Sequence, residues 1–305
     1  MKRAIVTGAS GFIGSALVRE LSARGVRVLA LVRERRKAEE LSELPGVEVA
    51  EWDMACLPER LDGSADVFFH LAWQGAYGRS RADYELQLLN AKWTIDAVNA
   101  AHAAGCGRFV GAGTLAELEA VNYTPLDGSV PDAASSYGVA KIAAHYMSKA
   151  ECNRLGMEHL WAYIPNTYGA GNYTPSFINM TVRTMLAGLP GNFTAGTHMY
   201  DFVYVDDTVR GLYCIGSQGR PNCSYYIGSM QARPLRSFVQ TIRDEIDPSI
   251  RPNFGAVPFH GVSHEASVFD CSKLMADTGY CPQVPFEQGI QKTIAWLRQN
   301  SDGRY

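Results

Sequence analysis

The chain has 305 residues, 47% of them hydrophobic and 19% charged, with a formal net charge of −3. At roughly 150 residues per domain, this length implies two domains or one large one, with a sizeable core. The balance of 28 Lys and Arg against 31 Asp and Glu excludes a basic footprint for nucleic acid and an acidic disordered tail.

Seven scattered cysteines (Cys56, Cys106, Cys152, Cys214, Cys223, Cys271 and Cys281) include no Cys-x-x-Cys pair. That spacing argues against a disulfide framework or a metal site and for free thiols. Met1-Lys2-Arg3 runs into Gly8 and Gly11 too early for a signal-peptide core. No stretch reaches the ~18 apolar residues of a membrane helix. A cytoplasmic protein with no membrane contact is therefore expected, and the sequons at Asn122, Asn172, Asn179, Asn192 and Asn222 are read as chance.

In chain order, short apolar runs at 3–7, 26–32, 47–51, 66–71, 108–112 and 159–164 read as strands. Amphipathic stretches at 12–24, 36–43, 82–104 and 137–155 read as the helices between them. This alternation predicts an α/β fold with a doubly wound, mostly parallel sheet. After Gly169 the rhythm breaks into Pro-, Asn- and Gly-rich pieces with helices at 174–186, 236–245 and 285–299. The expected division is a dinucleotide-binding domain over 1–168 and a smaller α/β substrate domain over 169–305, with 201–217 packing back on the first.

The first predicted strand ends in Thr7-Gly8-Ala9-Ser10-Gly11-Phe12-Ile13-Gly14, and a helix follows at once. Glycines at this spacing allow a sharp turn, let backbone N–H groups approach a pyrophosphate, and pack helix on strand. The end of the second strand decides between cofactors, because an acidic residue there accepts from a free ribose hydroxyl while guanidinium groups suit a 2′-phosphate. It reads Leu31-Val32-Arg33-Glu34-Arg35-Arg36. Arg33 and Arg36 favour NADP; Glu34 leaves NAD as the alternative. Asp53 and Met54 after the third strand are placed to meet the adenine.

Ser135-Ser136-Tyr137-Gly138-Val139-Ala140-Lys141 opens a helix. Tyr137 and Lys141 stand at i and i+4 on one face. A neighbouring ammonium favours phenolate, so Lys141 is expected to lower the Tyr137 pKa and to hold the nicotinamide ribose.

With these motifs the chain resembles the extended short-chain dehydrogenase/reductases, the group of nucleotide-sugar epimerases, dehydratases and 4-ketoreductases. The resemblance runs nearly end to end. It includes His70-Leu71-Ala72, Asn90-Ala91-Lys92-Trp93-Thr94, Asn166-Thr167-Tyr168-Gly169, Asp201-Phe202-Val203-Tyr204-Val205-Asp206-Asp207 and Asp270-Cys271-Ser272-Lys273. It implies that Thr114 binds the reacting oxygen beside Tyr137, and that Leu71, Ala72, Pro165 and Asn166 line the nicotinamide or substrate space.

The resemblance also implies a homodimer built on the helices at 82–104 and 137–155. Dehydratases of this group carry Asp-Glu after the catalytic Thr, where this chain has Leu115-Ala116. The two arginines that usually grip a diphosphate are replaced by Tyr200 and His260, with Arg233 and Lys273 as candidate substitutes. The expected function is an NADP-preferring reductase of a keto-sugar, foremost a nucleotide-linked 4-keto-6-deoxyhexose. A 4-epimerase retaining NAD is the alternative. A non-catalytic dinucleotide-sensing module would need a broken site, and Thr114, Tyr137 and Lys141 are all present.

Overall fold

The computed structural model describes residues 1–56, 64–121 and 132–300; the sequon at Asn122 lies outside them. They form two compact units. One comprises Met1–Ile164, Val209–Tyr226 and Lys273–Tyr280; the other comprises Pro165–Thr208, Ile227–Ser272 and the described residues from Cys281 onward. The division thus falls after Ile164, ahead of the expected 168, and the segment returning to the first unit begins at Val209 instead of 201.

The first unit is built on seven strands: β1 (Arg3–Thr7), β2 (Arg27–Val32), β3 (Val47–Glu51), β4 (Val67–His70), β5 (Arg108–Thr114), β6 (Glu158–Ile164) and β7 (Ser224–Tyr226). They lie in the order β7-β6-β5-β4-β1-β2-β3, and every neighbouring pair is parallel. Parallel neighbours need long crossovers, which helices α1 (Phe12–Ala23), α2 (Tyr84–Ala103) and α4 (Ser135–Arg154) provide. A short helix, α3 (Leu115–Val121), follows β5 directly.

Burial on both faces explains the unbroken apolar runs, as Ala4, Ile5, Val6, Phe68, Phe69, Phe109 and Val110 are all fully buried. Strand β7 escaped the sequence pattern because three residues carry no readable period. The expected helix at 36–43 is instead a tight 3-10 turn, Arg35–Ala38, followed by Glu39–Ser42. Only Ala38 and Leu41 are buried there, so little apolar surface holds a longer helix.

The strand order reverses between β4 and β1, and in such sheets ligands bind beyond the strand ends at that point. Thr7 pairs with Leu31 on one side and His70 on the other, so the ends of β1, β2 and β4 lie level.

The second unit packs around Tyr168, Phe202, Phe238 and Phe286, all buried. Asp201 accepts from the backbone and hydroxyl of Ser229, and Asp207 accepts from the backbone N–H groups of Gln283 and Val284. Asp201 and Asp207 of that motif therefore close loops. Among the described residues no helix is long and apolar enough to cross a membrane, and all seven cysteines are free thiols.

Candidate active site

The glycine loop has a division of labour. Gly8 has φ +67°, and a Cβ there would lie 2.8 Å from Ala72 N. A Cβ on Gly14 would lie 2.1 Å from Gly8 O, so helix and strand close to a distance only glycine permits. Gly11 is the N-cap of α1, with no side-chain cap and no acidic residue in the first turn. The N–H groups that open α1, around Phe12 and Ile13, are therefore left for an anion.

The glycine loop borders a cavity of about 510 Å³ lined by Gly8, Ser10, Gly11, Leu31, Val32, Arg33, Trp52 and Met54, and by residues 71–77. Its placement beside an uncapped helix start and its lining, from Arg33 and Met54 to Leu71 and Ala72, fit a dinucleotide. Gly8, Ser10 and Gly11 would hold the phosphates, Arg33 and Met54 the adenosine end, and Leu71 and Ala72 the nicotinamide end.

Arg33 lies on the cavity wall; Glu34 is drawn elsewhere. Its carboxylate accepts from Arg36 Nη2 at 3.0 Å and from Lys37 Nζ at 2.5 Å, and Lys37, then Arg36, hold it below the usual carboxylate range. Arg36 is thereby committed to Glu34 and does not line the cavity. Asp53 is also off the wall, where its carboxylate accepts from Ala55 N at 2.9 Å and caps a turn. Phe12, Ile13 and Gly14 stand at the start of α1, half-buried except for the buried Gly14.

The floor is set by a chain of hydrogen bonds beneath residues 71–75. Thr7 Oγ1 accepts from the backbone of Leu71 and Ala72, both at 3.2 Å, and bonds His70 Nδ1 at 3.0 Å. His70 Nε2 meets Thr94 Oγ1 at 3.3 Å, and Thr94 donates to Asn90 O. With Thr7 accepting twice, its hydroxyl proton goes to Nδ1 and the His70 proton to Nε2. Burial pushes the His70 pKa down to about 3, so the ring is neutral. Asn90 completes the frame with bonds to both backbone groups of Gln74.

Thr114, Tyr137 and Lys141 come together at the end of β5. Burial raises the Tyr137 pKa to about 12, against the opposing pull of the Thr114 hydroxyl and Arg81. The Arg81 guanidinium lies 4.6 Å from the Tyr137 ring centroid. Burial lowers Lys141 to about 7, with Glu117 opposing; its Nζ donates to Ala112 O at 2.7 Å and sits 3.8 Å from the Trp73 ring centroid.

This corrects one expectation. The cation acting on the phenol is Arg81, because Lys141 is turned toward the β5 backbone and the Trp73 face. Trp73 lines the cavity and meets Tyr137 edge-on, its ring fixed by Nε1 donation to Gln87 at 2.9 Å. Sequence reasoning missed Trp73, Arg81 and Gln87, for which no local pattern exists.

Residues 4–228 match the model of the NAD dependent epimerase/dehydratase family. The chain belongs to that family. A curated relative, dTDP-glucose 4,6-dehydratase of Haemophilus influenzae, is 26% identical over 99% of this chain and 99% of its own length. The solved structure of MoeE5 in complex with UDP-glucose and NAD is 25% identical, with a TM-score of 0.79 over 98% of this chain and all of the other. UDP-glucuronic acid 4-epimerase from Bacillus cereus, in complex with NAD, shares the fold at TM-score 0.78 and 19% identity, over 98% of this chain and 99% of its own.

The remaining expected site residues of this epimerase/dehydratase-family enzyme, Lys273 apart, belong to the second unit. Pro165 is buried, and Asn166 is exposed at the start of the short strand Asn166–Tyr168. Tyr200 is half-buried and pairs across an antiparallel bridge with Arg233. Arg233 meets Glu287 at 2.9 Å. His260 is exposed. Lys273, in the first unit, donates to Ser224 O and covers the Tyr225 ring.

Proposed function

We propose that this enzyme is an NADP-preferring reductase of a keto-sugar, foremost a nucleotide-linked 4-keto-6-deoxyhexose. The observation carrying the cofactor half is the arrangement after β2, where Arg33 faces the cavity and Glu34 is bound by Arg36 and Lys37. The relatives named for dTDP-glucose and the MoeE5 complex with UDP-glucose support a nucleotide sugar. A bound nicotinamide would supply the hydride. Thr114 and Tyr137 would hydrogen-bond the carbonyl oxygen, aimed where negative charge develops, and Tyr137 would hand over its proton. Leu115 and Ala116 after Thr114 are buried and apolar, and Glu117 is bonded behind β5, so no acid–base pair for elimination accompanies the Thr.

Arg33→Ala is expected to weaken NADPH about tenfold to a hundredfold, the equivalent of one charge-assisted hydrogen bond of ~1.5–3 kcal/mol, and to leave NADH nearly unchanged. Nicotinamide fluorescence titrations measure both; tighter NADH binding by the wild type would reverse the assignment. That reversal would favour the second reading, a 4-epimerase retaining NAD, which the MoeE5 complex with NAD makes relevant. Net turnover separates the two. A reductase consumes one NADPH per product, whereas epimer formation with no net nicotinamide oxidation sinks the reductase.

The reading includes a homodimer. Helices α2 and α4 pack together yet expose Tyr84, Leu88, Val139, Tyr146 and Met147, an apolar stripe that a second copy would cover. Sedimentation equilibrium should give twice the chain mass, and Leu88→Glu with Tyr146→Glu should halve it. A monomeric wild type at micromolar concentration removes the dimer.

A further inference from the structure

At the β5 terminus lies a buried carboxylate that the proposed chemistry leaves unused. Glu117 is 2% exposed. Its Oε1 accepts from Thr114 N at 2.9 Å and Trp161 Nε1 at 3.1 Å, and its Oε2 lies 3.3 Å from His145 Nδ1. His145 Nε2 reaches Ser224 Oγ at 3.1 Å, and the imidazole stacks on Trp161 with centroids 4.5 Å apart and planes within 5°. A donor is needed at Nδ1 to meet the carboxylate, so a proton sits there.

The fold clears room for this group. A Cβ on Gly113 would lie 2.2 Å from Trp161 Nε1 and 2.8 Å from Glu117 Oε1, and one on Gly111 would lie 2.1 Å from the Trp161 ring. Thr114-x-x-Glu117 is also a capping box, since Thr114 Oγ1 accepts from Ala116 N at 3.3 Å while Glu117 reaches back to Thr114 N.

We propose that Glu117 and His145 are positioning residues for the reacting groups, holding the Thr114 turn from behind and tying it to α4 about two turns beyond Tyr137. This rests on the reading that Thr114, Tyr137 and Lys141 do the chemistry. Tyr137, Lys141 and His145 follow at intervals of four along one face of α4. The Glu117–His145 contact therefore sets how far the Tyr137 phenol stands from the Thr114 hydroxyl. The Glu117 charge also supports the Lys141 ammonium against desolvation. The titratable groups acting electrostatically on Glu117, His145 or Lys141 include His70 on β4, Tyr137 on α4, and His159 and Tyr163 on β6.

The test begins on cofactor-free protein, so that it does not depend on the sugar. With ¹³Cε-labelled lysine and the Lys141 signal assigned through Lys141→Arg, Glu117→Gln should move the Lys141 titration lower by about one unit. In NADPH-dependent reduction of dTDP-4-keto-6-deoxyglucose, Glu117→Gln should lower kcat about tenfold to a hundredfold with KM values within about twofold. His145→Ala should lose kcat likewise, and His145→Asn, whose amide replaces the Nδ1–H, should recover most of it. A folded Glu117→Gln with an unmoved Lys141 titration and wild-type kcat overturns the proposal. If Glu117→Gln fails to fold, equal kcat in His145→Ala and wild type overturns it. If the wild type does not reduce this ketone, the substrate reading fails, and the lysine titration still decides the positioning role.

Discussion

Tyr137→Phe should lower turnover by about two to four orders of magnitude, the range a general acid contributes, while dinucleotide affinity stays within about twofold. The substitution removes one hydroxyl and keeps the ring, so the edge contact with Trp73 and the Arg81 guanidinium over the ring survive. What is lost is the proton beside Thr114. With burial holding the phenol at about 12, Tyr137 is a protonated donor at neutral pH. That state suits reduction, in which the proton moves to a developing alkoxide. Single-turnover reduction with saturating NADPH checks this. A variant within about twofold of wild type would show that another group delivers the proton.

Gly14→Ala should damage both the fold and the cofactor site. Its Cβ would stand 2.1 Å from Gly8 O and 2.8 Å from Gly8 C, backbone atoms that cannot swing aside. Relief requires α1 to back away from the end of β1, at a cost of ~1–3 kcal/mol typical of overpacking. The same displacement carries the open N–H groups of α1 off their anion, at about tenfold to a hundredfold in affinity per charge-assisted bond lost. Gly11→Ala is the internal control. Its Cβ would lie 3.2 Å from Gly8 O and Gly11 borders the cavity, so binding should fall while the thermal midpoint drops much less than in Gly14→Ala. Equal melting of Gly14→Ala and wild type would refute the packing argument.

Much of this enzyme was legible from local order in the chain. The run Ala4-Ile5-Val6 ending in Thr7-Gly8 can only be a buried strand entering a tight turn. The spacing of Gly8, Gly11 and Gly14 carries its own mechanism, and Tyr137 and Lys141 share a helix face by period alone. Each of these depends on geometry repeated within a few residues, which is why the family and the parallel sheet could be read without coordinates.

Tertiary structure decided the rest, because charge state and hydrogen-bond partners depend on burial by residues distant in sequence. Arg33 and Glu34 are neighbours in the chain, and only their surroundings show that Lys37 and Arg36 take the acid while Arg33 reaches the cavity. Lys141 faces Ala112 O and Trp73 instead of the phenol it was expected to tune, and Arg81, more than fifty residues before Tyr137, takes that place. The carboxylate of Glu117 finds Trp161 on β6 and His145 on α4. Strand β7 arrives from beyond residue 220 to complete the sheet beside β6. A periodic pattern records which face of an element is buried, but not which distant side chain will be waiting there.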